Sequence, residues 1–255
     1  MEVSLAKLAG TLLAIGARIS GLMLFVPFFA HTAVPARIKI VLMMALTAVL
    51  YPVLAPKLQP PTLEHWPWLV GSEMLIGIAL GLVMNLVFEG VQLAGQVMSL
   101  QMGYSLVNIL DPQTQVDTTV VSLFTEIIAL LTFLALDVHH WILRLLAQSF
   151  ESIPPGVAQF GPAFTGFVLR SAGSVLSIGV QIAAPVLSAT IVADLLLGLL
   201  SKAAPQMPVL FLGPAVKAML SVLLLAGALP YWPRLFSALF QQSMVLSDRI
   251  LQLAR

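Results

Sequence analysis

The chain has 255 residues, 59% hydrophobic and only 9% charged, with a net charge of +1 and a mean hydropathy of +1.01. A soluble domain carries about 25% charged residues. Too few charges are present here to clothe a water-facing surface, and lipid or protein must cover most of it. The near-neutral balance argues against nucleic-acid binding through a basic face, and the absence of cysteine excludes disulfides, thiolate metal sites and cysteine nucleophiles.

What remains is an all-α membrane protein, each of whose spans takes about 20 apolar residues. The segment Met1 to Lys7 lacks a basic n-region, a short apolar core and a small-residue cleavage site, and is expected to be retained. The first apolar run goes from Leu8 to Phe29, interrupted by Arg18, and the second from Ile38 to Ala55, with Lys39 at its start. A proline-rich break follows, Lys57 to Trp68, whose Trp66 and Trp68 suit a membrane–water boundary. The third run, Leu69 to Phe88, holds Glu73 and shades into a more polar helical stretch, Glu89 to Met102. Tyr104 to Thr118 has no regular period and carries the helix breaker Asp111-Pro112, so it reads as a loop.

The fourth run, Thr119 to Leu136, contains Glu126 and closes at Asp137-Val138-His139-His140-Trp141, with a short helix expected to Phe150. Pro154-Pro155-Gly156 breaks the chain. The fifth run, Ala163 to Leu200, is too long for one span, and Pro185 near its middle predicts a kink or a division there. After a break at Lys202 to Pro208, the sixth run is Val209 to Trp232. The tail from Arg234 to Arg255 is amphipathic, with Leu235, Leu239, Leu246, Ile250 and Leu253 on one helical face and Gln241, Gln242, Asp248, Arg249 and Gln252 elsewhere. The fold class is therefore about six long apolar helical segments, several of them kinked, plus an amphipathic C-terminal helix. Scattered basic residues leave the positive-inside rule nearly silent on orientation.

Eight ionisable residues lie in or beside the apolar runs: Arg18, Lys39, Glu73, Glu89, Glu126, Arg170, Asp194 and Lys217. Each costs about 2.5–3.5 kcal/mol at a helix centre, so several must pair, face water or sit outside the bilayer core. Lys39 and Glu89 read as interfacial. The candidates for buried charge are Arg18, Glu73, Glu126, Arg170, Asp194 and Lys217. Gly77 and Gly81 form a Gly-x-x-x-Gly step that lets helices approach closely, within this chain or against another subunit.

Catalytic motifs are missing: the sequence has no His-Glu-x-x-His, no Gly-x-Ser-x-Gly and no glycine-rich phosphate loop. Asp137, His139 and His140 offer ligand atoms, but adjacent histidines leave a helix on different faces, so no metal site is expected. No cofactor and no catalytic residue are expected either.

Three segments carry a resemblance. They are Gly90-Val-Gln-Leu-Ala-Gly-Gln-Val-Met-Ser-Leu-Gln-Met-Gly103 running on to Asp111-Pro112, then His139-His140, and finally Pro205-Gln206-Met207 with Phe211, Gly213, Pro214 and Lys217. Together with Arg18, Pro27 and Pro35 to Lys39, their order and spacing resemble the FliR family of the flagellar type III export gate. Two positions depart from the family pattern. Pro208 stands where asparagine is common, and Asp137-Val138 where glycine is usual.

The resemblance implies a single FliR-type domain over 1–255, with an N-terminal helical portion over 1–150 and C-terminal hairpins and tail over 151–255. It implies a non-enzymatic gate subunit in the bacterial inner membrane at the flagellar basal body. Its partners would be FliP-like, FliQ-like and FlhB-like subunits, unfolded exported proteins and membrane lipid. It also implies that the loop near 104–118 helps close the passage, making Met98, Met102, Gly103, Asn108, Asp111, Pro112 and Gln113 the gate candidates. Met98 and Met102, four apart, offer a soft seal, although methionines at helical spacing are more often core packing. Related SctT-type subunits of virulence injectisomes share the fold. A small-solute transporter using Arg18, Glu126, Arg170 and Asp194 as an ion relay, and an intramembrane enzyme, are the competing classes.

Overall fold

Helices form wherever the apolar runs free the backbone from any competing partner, and they end where proline, glycine or a polar cap intervenes. In the computed structural model of the chain, residues 5–26, 34–56, 58, 66–103, 119–206 and 209–254 are described, and no strand occurs among them. The helices are α1 (Leu5–Phe25), α2 (Ala36–Leu54), α3 (Trp66–Met102), α4 (Val120–Ala135), α5 (Val138–Ser152), α6 (Pro162–Ala172), α7 (Ser174–Ala203), α8 (Val209–Ala228) and α9 (Trp232–Leu253). Five helical stretches are long and apolar enough to cross a membrane, and α4 with α5 makes a sixth if they count as one broken span.

The boundaries have local causes. α2 starts directly after Pro35, whose ring presets φ at −57°. The Thr119 side chain caps α4, accepting a hydrogen bond from the Ser122 N–H at 3.2 Å. Between α4 and α5, Asp137 adopts a left-handed conformation (φ 53°, ψ 30°). The turn thus keeps a backbone that glycine takes most easily, with aspartate tolerating it through its short polar side chain. α6 opens on Pro162, at the helical position where a missing N–H costs nothing.

The third run and the polar helical stretch after it are, as expected, helical to Met102, in one unbroken 37-residue helix, α3. One expectation changes. The long fifth run divides at Gly173 rather than at Pro185, which lies inside a continuous α7. Gly173 donates its N–H to the Arg170 carbonyl at 3.1 Å, tightening the end of α6 into a three-residue turn.

By backbone contacts the chain forms two compact units that interleave along the sequence, so the 150/151 division does not coincide with them. One comprises Met1–Val87, Asp137–Gly173 and Leu239–Arg255, the other Phe88–Leu136 and Ser174–Ala238. In the first unit, Ala14, Ile15, Ile19 and Leu22 of α1 and Ile76, Leu80 and Met84 of α3 are buried core residues. α1 and α3 touch backbone to backbone at the glycines: a Cβ on Gly77 would fall on the Arg18 carbonyl, and one on Gly81 would lie 2.6 Å from the Leu22 carbonyl oxygen. The Gly-x-x-x-Gly step is therefore an internal contact. Ala79, Val83 and Ile250 form a further cluster with Phe164, Phe167, Val168 and Leu246, and the Arg249 guanidinium lies 5.6 Å above the Phe167 ring.

The second unit joins the last turns of α3 to α4, α7 and α8. Gly95 admits Ser122 of α4 so closely that a Cβ would strike its backbone, and the Ser122 hydroxyl donates to the Gln92 carbonyl at 3.1 Å. Phe88 meets Phe133 edge to face at 5.7 Å. α7 and α8 form an apolar hairpin. The amphipathic tail is α9, which buries Phe236, Leu239, Phe240, Ile250 and Leu251 and exposes Gln241, Gln242, Asp248, Arg249 and Gln252. Ser243 and Ser247 complete its buried stripe, hidden from a hydropathy pattern because each hydroxyl donates to a carbonyl of its own helix.

Candidate functional site

Arginine in an apolar helix must find acceptors for its guanidinium or leave the core. Arg18, fully buried on α1, finds them on three other segments. Its Nε donates to Glu73 Oε2 of α3 at 2.7 Å, and Nη2 lies 2.6 Å from the same oxygen. Nη1 donates to the Ser149 hydroxyl of α5 at 2.9 Å, and Nη2 to the Ile153 carbonyl at 3.0 Å. The Phe150 ring centroid lies 3.9 Å from the guanidinium carbon. The other carboxylate oxygen of Glu73 accepts the Gly156 N–H at 3.1 Å. Gly156 takes φ +83°, a left-handed conformation that lets the Pro154-Pro155 break turn its amide towards the acid.

This node ties α1, α3, α5 and the turn at 153–156 of the first unit into one hydrogen-bonded network. Arg18 and Glu73 were legible as candidates. Ser149, Phe150, Ile153 and Gly156 were not, because a serine on a helix face and a proline-glycine break carry no sign of what they bond.

The other charge candidates sit differently. Asp194 on α7 pairs with Lys217 on α8 at 2.9 Å, with the Asp194 side chain half exposed. Such a pair contributes little in water, about 0–1 kcal/mol, whereas removing one partner of a covered pair costs about 3–5 kcal/mol. Arg170 is exposed at the end of α6, and Glu126 is half-buried on α4. Lys39 is half-buried and Glu89 exposed.

Of the gate candidates, Met98 and Met102 are buried within the chain. Gly103 ends α3 at φ +83°, its N–H donating to the Leu100 carbonyl at 3.1 Å, with Pro214 of α8 3.3 Å from where a Cβ would stand. Asn108, Asp111, Pro112 and Gln113 lie outside the described residues.

Asp137, His139 and His140 are brought together. Asp137 Oδ1 lies 3.3 Å from His140 Nδ1 and 3.9 Å from His139 Nε2. The divergence expected of adjacent helical histidines is overcome because Asp137 precedes the helix in its left-handed turn. Its carboxylate therefore lies within reach of both rings, whose centroids are 4.2 Å apart.

A family model described as bacterial export proteins, family 1, matches residues 9–243. The chain is 32% identical over 243 residues to the flagellar biosynthetic protein FliR of Escherichia coli K12, covering 92% of this chain and 91% of that protein. It is likewise 32% identical over 214 residues to FliR of Bacillus subtilis 168, covering 82% of each. With FliR of Aquifex aeolicus it shares 27% identity over 243 residues, 92% of this chain and 91% of the relative.

Proposed function

The chain belongs to the bacterial export proteins, family 1, and from that membership we propose that it is a non-enzymatic subunit of the gate through which a bacterial flagellum exports its proteins. It acts in the inner membrane at the flagellar basal body. FliP-like and FliQ-like subunits complete the channel with it, an FlhB-like subunit adjoins them, and unfolded flagellar proteins pass through. The relatives named above are all flagellar biosynthetic proteins, which favours the flagellum over an injectisome.

The observation that carries this reading is α7. Its 30 residues make a helix about 45 Å long, against about 30 Å of hydrocarbon. Leu176 is 66% exposed near one end and Leu199 67% near the other. These two lie 23 positions apart, about 35 Å along the axis, so a bilayer crossed upright leaves part of the uncovered apolar face in water. Neighbouring protein subunits can cover this face, as a tilt of the helix otherwise would. A solute transporter draws less support: of the four residues of that relay, Arg18 is tied to Glu73, Asp194 is paired with Lys217 and Arg170 is exposed.

The test is the native mass of the full chain in mild detergent, expressed with and without FliP-like and FliQ-like partners. The expected result is its incorporation into a much larger mixed assembly. A stable monomer or homodimer that ignores both partners overturns the proposal.

We propose that the loop following Gly103 closes the channel, with Asn108, Asp111, Pro112 and Gln113 within it and Gly103 and the buried Met98 and Met102 at its root. Deleting 108–117 is expected to leave the assembly intact and make it leaky to small ions. Ion conductance equal to that of the unaltered complex would remove the closure role.

A further inference from the structure

The cluster at the start of α5 goes beyond the export reading and stands independently of it. Asp137 Oδ1, His139 Nε2 and His140 Nδ1 all belong to one exposed turn, and the ligand atoms of the three residues lie within 4.8 Å of one another. Ligands about 2.0–2.1 Å from a tetrahedral zinc ion stand about 3.4 Å apart. The Asp137–His140 edge, at 3.3 Å, already has that length, and the Asp137–His139 edge, at 3.9 Å, must shorten only slightly. The side chains of His139, His140 and Asp137 are 41%, 60% and 67% exposed, so an ion from solvent can reach all three.

We propose that Asp137, His139 and His140 form a binding site for one divalent transition-metal ion of the zinc class. The donor set decides the class. Two imidazole nitrogens and one carboxylate suit Zn2+, Co2+, Ni2+ or Cu2+, whereas Mg2+ and Ca2+ take oxygen ligands. The field at the N-terminus of α5 opposes a cation, and the negative charge of Asp137 at the N-cap offsets it. Because Asp137 precedes the helix and the histidines lie in its first turn, a bound ion clips the left-handed turn to α5. Three protein ligands leave at least one coordination position to water.

The experiment uses the full chain in mild detergent without a polyhistidine tag, titrated with Zn2+ by calorimetry and with Co2+ by its visible spectrum. The expected result is one saturable Zn2+ site per chain and a tetrahedral Co2+ band. The chain has two other histidines, His31 and His65, and a His31→Gln/His65→Gln variant is expected to bind as the wild type does. Asp137→Asn keeps a residue that tolerates the left-handed turn while removing the charged ligand. It is expected to weaken binding by more than about 100-fold, beyond the loss typical of an outer-shell change. His139→Gln/His140→Gln is expected to abolish binding with helicity by circular dichroism unchanged. The proposal is overturned if the wild type shows no saturable site, if Asp137→Asn binds with unaltered affinity, or if binding survives loss of both His139 and His140.

Discussion

Replacing Arg18 with methionine is expected to destabilise the first unit by about 3–5 kcal/mol, because Glu73 would be left buried without its cation. Methionine keeps the helix propensity and most of the apolar volume, so the loss reports charge and hydrogen bonds rather than a cavity. The matching Glu73→Met variant strands the guanidinium and is expected to lose a similar amount. The double variant Arg18→Met/Glu73→Met removes both charges together and is expected to recover much of that loss. Recovery stops short of wild type because the Gly156 N–H and the Ile153 carbonyl lose their side-chain partners, each at about 1–3 kcal/mol if water cannot reach them. Unfolding in mild detergent, followed by helicity, measures all three variants. Strict additivity of the two single losses would show that the charges are not coupled and would sink the account of the node.

The second large effect is expected at Gly77. A methyl group there meets the Arg18 carbonyl and the Leu22 backbone nitrogen, neither of which can rotate aside. Overpacking a core typically costs about 1–3 kcal/mol when side chains yield. Here the whole of α1 must retreat from α3, so Gly77→Ala is expected at or above the upper end, and Gly77→Leu is expected to prevent the two helices from packing. Gly71, six residues earlier on α3, has nothing within 4 Å of where its Cβ would stand. Gly71→Ala is therefore expected to be neutral or to stabilise by up to about 1 kcal/mol. A Gly77→Ala protein unfolding within about 0.5 kcal/mol of wild type would contradict the close approach, since only surface changes are normally so mild. The two predictions bear on one structure, because the Arg18 carbonyl sits against Gly77 while its side chain reaches Glu73.

In the gate subunit proposed above, this specific packing in the first unit has a functional sense. A protein whose apolar faces are to be covered by partners cannot rely on hydrophobic burial alone for a unique fold, since apolar groups are interchangeable in lipid. A buried ion pair with fixed geometry and a glycine contact that admits only one register supply that definition.

Much of the architecture was legible in the residues. Hydropathy is a sum over a local window, so α1, α2, α4 and α8 appear within a few residues of their apolar runs. The period of the tail marked the exposed face of α9, and proline and glycine marked the breaks around 153–161. The order and spacing of the motifs were enough to indicate the family. Tertiary structure alone decided the rest. Arg18 and Glu73 are 55 residues apart and Arg18 and Ser149 131 apart, so only the packing of α1, α3 and α5 decides which acid meets which base. Neither could a window say that Pro185 would be carried inside α7. Proline is tolerated inside membrane helices where neighbouring groups satisfy the backbone it frees, so the helix continues through Pro185, and the end of α6 falls at Gly173. The same holds for Asp137: periodicity sends His139 and His140 apart, and only the left-handed turn before the helix places one carboxylate between them.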